Sequence, residues 1–240
     1  MSSPPRTYWL NFTPLRMACL HGHPKSIGFL LDHGAAVCVA GRNALADAAR
    51  KMSILDIMVN QYSVDVNIAD DSGRTALWDA CFSPEPEYAV NALLKLGANL
   101  NLPSMGLLLP LVCNRSIPES VVKLLLSHGA VVDAIDSRGR TGLMHVCSRG
   151  CNNTAKLLLL YGADVNIADI DGNTALMRIV NARKYACLSL LLERGADVLS
   201  PFPRGRHISK TVLEVLRQGD SREAVIVREA AERQAQPVLK

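Results

Sequence analysis

The sequence predicts an all-α repeat protein, a solenoid of helix-turn-helix units joined by hairpin loops. Three observations predict it. An Asp-x-x-Gly turn leading into Thr-x-Leu occurs at Asp136 to Leu143 and again at Asp169 to Leu176, so Leu143 and Leu176 stand 33 residues apart. Each turn precedes a short helical stretch and then a leucine-rich one ending on Gly-Ala, as at Leu157 to Ala163 and Leu190 to Ala196. Of the 240 residues, 49% are hydrophobic and 20% charged, ample apolar surface for stacked units and far from a disordered composition.

The first unit, about 11–37, brings Tyr8, Trp9, Leu10 and Phe12 against Thr13-Pro14-Leu15 and ends at Gly34-Ala35. Thr caps the free N–H groups of a helix start and Pro suits its first turn, so the inner helix begins there. The second, about 41–67, substitutes Asn43-Ala44-Leu45 and closes on Ser63-Val64-Asp65-Val66-Asn67. Without glycine at 63 its helix end loses the residue that adopts a left-handed cap at low cost, so this unit is expected to be the weakest. The third, about 70–101, recovers with Asp70 to Leu77 and Gly97-Ala98, and Pro84 and Pro86 stiffen its inter-helix turn. The fourth, about 104–133, has Leu109-Pro110-Leu111 in the Thr-Pro-Leu place and an apolar opening hairpin from Leu102 to Leu108. The fifth and sixth, about 136–166 and 169–198, are the regular pair described above. Residues 199–240 hold a longer loop and two further helices. Ser209 is expected to cap the first, Gly219 to stop it, and Asp220 with Glu223 to form a capping box for the second. Their polar outer surface suits a terminal cap.

These motifs resemble the ankyrin repeat, with about six repeats and a C-terminal helical cap. The resemblance implies a function in recognition, by hairpin tips and inner-helix faces that line a concave groove. Residues two places after the Thr-x-Leu leucine are expected to face that groove, namely Met17, Asp47, Asp79, Cys113, His145 and Ile179. The family's histidine directly after that leucine is replaced, Trp78 being the largest substitute. Trp78, Asp79 and Phe82, with Arg74 on the adjoining hairpin, make the best binding centre, because aromatics and arginine anchor interfaces. Arg138, Arg140, His145 and Arg149 extend it. Trp78 has a second reading, as packing between units, and each arginine alone as a solvated charge. Asn166 and then Asn67, in Asp-Val-Asn after an apolar helix, match the context in which ankyrin asparagines resemble substrates of an asparaginyl hydroxylase.

The remaining expectations are exclusions. Cys19, Cys81 and Cys147 each fall four residues after a unit's leucine, a packing pattern that implies reduced thiols and a cytoplasmic or nuclear location. His145, Cys147 and Cys151 lack a matching second ligand pair, so no metal is expected. No nucleotide loop or nucleophile motif occurs, which leaves no catalytic residue, no cofactor and no enzyme. A net charge of +4 spread over many turns implies no nucleic-acid partner, and no apolar run has membrane-spanning length. A monomer binding another protein or peptide segment is expected. The alternative, a substrate receptor of a ubiquitin ligase, is disfavoured because Thr211-Val212-Leu213 is not followed by the rest of a SOCS box.

Overall fold

The computed structural model describes residues 13–39, 41–102, 108–115, 117–201, 203, 210–216 and 222–235. As far as they are described, residues up to 108 with 123–130 form one compact unit, and 109–122 with 131 onward form another.

In the first compact unit α1 (Pro14–His21) and α2 (Pro24–Asp32) make a helical hairpin. A two-stranded turn, β1 (Cys38–Val39) with β2 (Arg42–Asn43), leads to α3 (Ala44–Ala48). Then come α4 (Met52–Asp56), continued by a π-helical turn over Ile57–Gln61, α5 (Ala76–Cys81) and α6 (Pro86–Lys95). The inner helices pack in a row, α1 on α3 and α3 on α5, while α2 and α6 back their own partners. Leu15, Cys19, Ile27, Leu45, Leu55, Met58, Leu77, Cys81 and Leu93 form its fully buried core. Thr13 Oγ1 accepts a bond from Arg16 N–H at 3.2 Å, and Asn43 does the same for Leu45 N–H at 2.9 Å. A different side chain thus supplies the same missing acceptor.

The boundary residues lie in α7 (Leu108–Asn114) and α8 (Glu119–Ser127). In the second compact unit α9 (Gly142–Arg149) packs on α10 (Asn152–Leu160) and on α11 (Ala175–Ala182). A 3₁₀ turn over Tyr185–Cys187 opens α12 (Leu188–Glu193), and α13 (Val212–Leu216) and α14 (Arg222–Ala235) follow. α14 lies against α12 and α13, and its Gln234 side chain donates to Ala196 O at 2.7 Å, satisfying a carbonyl at the end of the last regular unit.

Three expectations need correction. In the fourth repeat the register lies two residues earlier than Leu109-Pro110-Leu111 suggests. Leu108, Leu109, Val112 and Cys113 are buried as Ala76, Leu77, Ala80 and Cys81 are, while Leu111 is half-exposed. Pro110 then stands within the first helical turn, where a missing N–H costs no intrahelical bond. Cys113 therefore joins Cys19, Cys81 and Cys147 at one packing position, and it is buried, not groove-facing. In the sixth repeat Ile179 lies three places after Leu176 and is fully buried; Arg178 is the residue two places on. α13 is capped by Thr211, whose Oγ1 accepts from Glu214 N–H at 3.1 Å while Glu214 Oε2 accepts from Thr211 N–H at 2.7 Å. This reciprocal box sets the start of α13 at Thr211, and the cap expected at Ser209 falls outside the described residues. Ser209, Gly219 and Asp220, the aromatic run from Tyr8 to Phe12, and residues 103–107 of the fourth hairpin lie outside the described residues.

Candidate partner-binding surface

The hairpin tips are built by one carboxylate each. Asp70 Oδ1 accepts from Ser72 and Arg74 N–H at 2.9 Å each, and Asp136 Oδ1 accepts from Arg138 N–H at 2.8 Å and Arg140 N–H at 3.0 Å. Asp169 does the same with Asp171 and Asn173 N–H. A side chain that bonds its own backbone two and four residues on closes the turn, which is why Asp opens it and Gly sits three later. The second carboxylate oxygen reaches a cation: Arg74 at 2.8 Å, Arg140 at 2.8 Å, and Arg178 on the helix behind. Burial by itself raises the pKa of Asp70, Asp136 and Asp169, but the hydrogen bonds outweigh it and hold all three below the usual carboxylate range.

That geometry divides the proposed binding residues. Arg74 also donates to Gly41 O at 2.8 Å, so its guanidinium ties two successive hairpins. Trp78 on α5 and Phe82 directly after its end are half-buried with ring centroids 5.8 Å apart, the spacing of a tilted aromatic pair. Asp79 and Phe82 line a polar cavity of about 270 Å3 together with Arg16, Arg42, Asp47 and Arg50. Burial pushes the Asp79 carboxyl up, against the pull of Arg74 and Arg42. Arg16, Arg42 and Arg50 were missed in sequence; Arg16 Nε meets Asp47 Oδ2 at 2.6 Å, a pairing between residues 31 apart that no local pattern announces.

The other four residues lie in the second compact unit. His145 is buried at 5% exposure, and its Nε2 meets Asp136 Oδ2 at 3.0 Å. It is a brace behind the hairpin and not a groove residue, in contrast to the expectation. Burial holds the imidazole pKa down despite the carboxylate, so it serves as a neutral donor. Arg140 is taken up by Asp136, and Arg149 donates to Asn114 O while remaining exposed. Arg138 is exposed; its carbonyl accepts from Ile170 N–H at 3.0 Å and its N–H donates to Asp136.

A family model of ankyrin repeats, in three copies, matches residues 15–104 and 111–201. The chain is an ankyrin-repeat protein. Among solved structures, the ankyrin repeat domain of Bcl-3, a unique member of the IkappaB protein family, matches with a TM-score of 0.72. At 24% identity over 90% of this chain and 98% of that one, the likeness is one of fold. Curated relatives include glycerophosphocholine phosphodiesterase GDE1 of Candida albicans, 31% identical over 144 residues, and palmitoyltransferase AKR1 of Lachancea kluyveri, 30% identical over 130. The matches cover 58% and 50% of this chain but only 12% and 18% of those proteins.

The ankyrin register places Asn67, Asn101, Asp133 and Asn166 at one position. Asn166 Nδ2 donates to Gly195 O at 3.1 Å, and its Oδ1 accepts from Asp197 N–H at 2.9 Å. Asn67 makes the same pair of bonds with Gly97 O and Asn99 N–H, at 3.5 and 2.7 Å, and Asn101 donates to Gly129 O at 3.0 Å. These amides link the second repeat to the third, the third to the fourth and the fifth to the sixth. All seven cysteines are free thiols, and burial pushes Cys19, Cys81 and Cys113 up to about 12. Among the described residues no three His, Cys, Asp or Glu side chains converge as a metal site would require, and no helix is long and apolar enough to cross a membrane.

Proposed function

We propose that this ankyrin chain is a protein-interaction module, an adaptor, scaffold or inhibitor, that holds a protein or peptide segment on its inner-helix face. The observation that carries the reading is the half-buried Trp78–Phe82 pair beside a polar cavity on the row α1, α3, α5. Aromatic rings left partly in water next to arginines are what interface anchors consist of. Interaction without chemistry fits the carboxylates too, since Asp70, Asp136 and Asp169 are committed to hairpin closure. Free, largely buried thiols fit a reducing compartment, so the cytoplasm or nucleus is the proposed location.

Affinity capture with mass spectrometry, followed by quantitative binding of the recovered partner, tests this. Trp78→Ala with Phe82→Ala is expected to weaken partner binding about tenfold or more while the variant stays folded. A loss of melting temperature that accounts for the whole loss of binding assigns both rings to the core. Asn166, ahead of Asn67, is the proposed hydroxylation acceptor; peptide mapping after co-expression with an active hydroxylase should find one added oxygen on Asn166 first, and modification at Asn67 alone would reverse that order.

A further inference from the structure

The cavity on the first compact unit has one small side chain in its lining where most other repeats carry a longer one. Directly after the inner-helix leucine stand Arg16, Trp78, Pro110, Met144 and Met177, but the second repeat has Ala46 there, and Ala46 lines the cavity. The cavity beside Ala46 measures about 270 Å3, below the usual size of a small-molecule site. It suits one side chain of a docked segment. The lining carries three guanidinium groups, Arg16, Arg42 and Arg50, against two carboxylates, Asp47 and Asp79. Arg16 and Asp47 neutralise each other at 2.6 Å with side chains 9% and 16% exposed. Arg42 on β2 and Arg50 just after α3 are exposed, and among the described residues no hydrogen bond or ion pair engages their side chains. Asp79 is then the one acid facing two uncommitted cations, since Arg74 is held by Asp70. One positive charge is left over.

We propose that this cavity receives a single carboxylate side chain, Asp or Glu, from the bound peptide segment, with Arg42 and Arg50 holding the carboxylate and Phe82 covering its aliphatic stem. The inference rests on the interaction reading above and names the chemistry of what is bound. Guanidinium groups match a carboxylate in shape and donor geometry, and their bonds to it are charge-assisted. A neutral side chain would strip water from two guanidiniums without replacing its hydrogen bonds. A dianionic phosphate would exceed the single spare charge and stand close to Asp47 and Asp79.

The test uses the full chain to select from a displayed library of random linear peptides, followed by synthetic versions of the enriched sequences in titrations. Selected peptides are expected to share one Asp or Glu, and its change to Asn or Gln should weaken binding about tenfold. Arg42→Glu with Arg50→Glu, both at exposed positions, should select Lys or Arg at that place instead. Ala46→Met alters no charge and installs the residue found at Met144 and Met177, so it should fold and yet weaken the same peptides by filling the cavity. Peptides that bind the wild type without an acidic position, or that bind either variant equally well, overturn the cavity assignment and leave the interaction reading standing. A phosphoserine version that binds more tightly than the Glu version overturns the carboxylate assignment. Failure to enrich any peptide counts against both readings.

Discussion

Ser63 holds a left-handed backbone, φ 51°, where Gly34, Gly97, Gly129, Gly162 and Gly195 hold values from 76° to 87° in the other repeats. A side chain there meets its own carbonyl, a strain of about 1–2 kcal/mol, partly offset by the extra freedom glycine loses on folding. Ser63→Gly should therefore raise stability by about 1 kcal/mol in chemical denaturation. A neutral or negative result would mean that Ser63 makes compensating bonds. Asp133 is the second residue out of keeping with its position. It accepts from Asp164 N–H at 3.1 Å, as Asn166 accepts from Asp197, but a carboxylate has no N–H for a carbonyl, and burial pushes its pKa up. An acid whose folded pKa is raised loses stability as pH rises through that value. Asp133→Asn is thus expected to add about 1 kcal/mol at neutral pH and almost nothing below pH about 3; an equal gain at both would show that charge is not the cause.

At the scale of elements, the second repeat combines a five-residue inner helix, a five-residue α4 that loosens into a π-helical turn, and the strained Ser63. Repeat stability is a sum of intrinsic and neighbour terms, so this repeat should open first. Hydrogen exchange should be faster over 44–62 than over α5 and α6, and uniform protection from 14 to 95 would contradict it. A similar contrast occurs at inner-helix ends: Gly22 and Gly150 carry left-handed caps after α1 and α9, while Arg183 is forced to φ 54° after α11.

For the whole molecule, Asp70, Asp136, Asp169 and Asp197 all have folded pKa values below the ordinary carboxylate range. A depressed acid contributes stability that is full above its unfolded pKa, about 3.9, and is lost as pH falls toward the folded value. Stability should hold near neutrality and fall steeply below pH about 4. Asp136→Ala, which removes bonds to Arg138, Arg140 and His145, should cost about 3 kcal/mol at pH 7 and much less at pH 2, measured by urea unfolding at each pH. An equal cost at both would assign the effect to packing.

The ankyrin fold was legible because its signals are local. Asp136 bonds its own turn, Thr13 caps its own helix, and the 33-residue spacing of Leu143 and Leu176 needs no distant partner to be seen. The same locality exposed the missing glycine at 63. Spacing alone put Trp78, Asp79 and Phe82 together on one helix; α5 ends one residue before Phe82, and Asp79 and Phe82 line one cavity. What tertiary structure decided was everything set by contact between repeats. His145 has the spacing of a surface residue, and only the return of the hairpin over α9 buries it on Asp136. The fourth repeat's register could not be read from a run of leucines, because a continuous apolar run has no phase until burial assigns one. Arg16, Arg42 and Arg50 converge on Ala46 from separate elements, and three solvated charges in sequence become one site only when α1 and α3 are packed side by side.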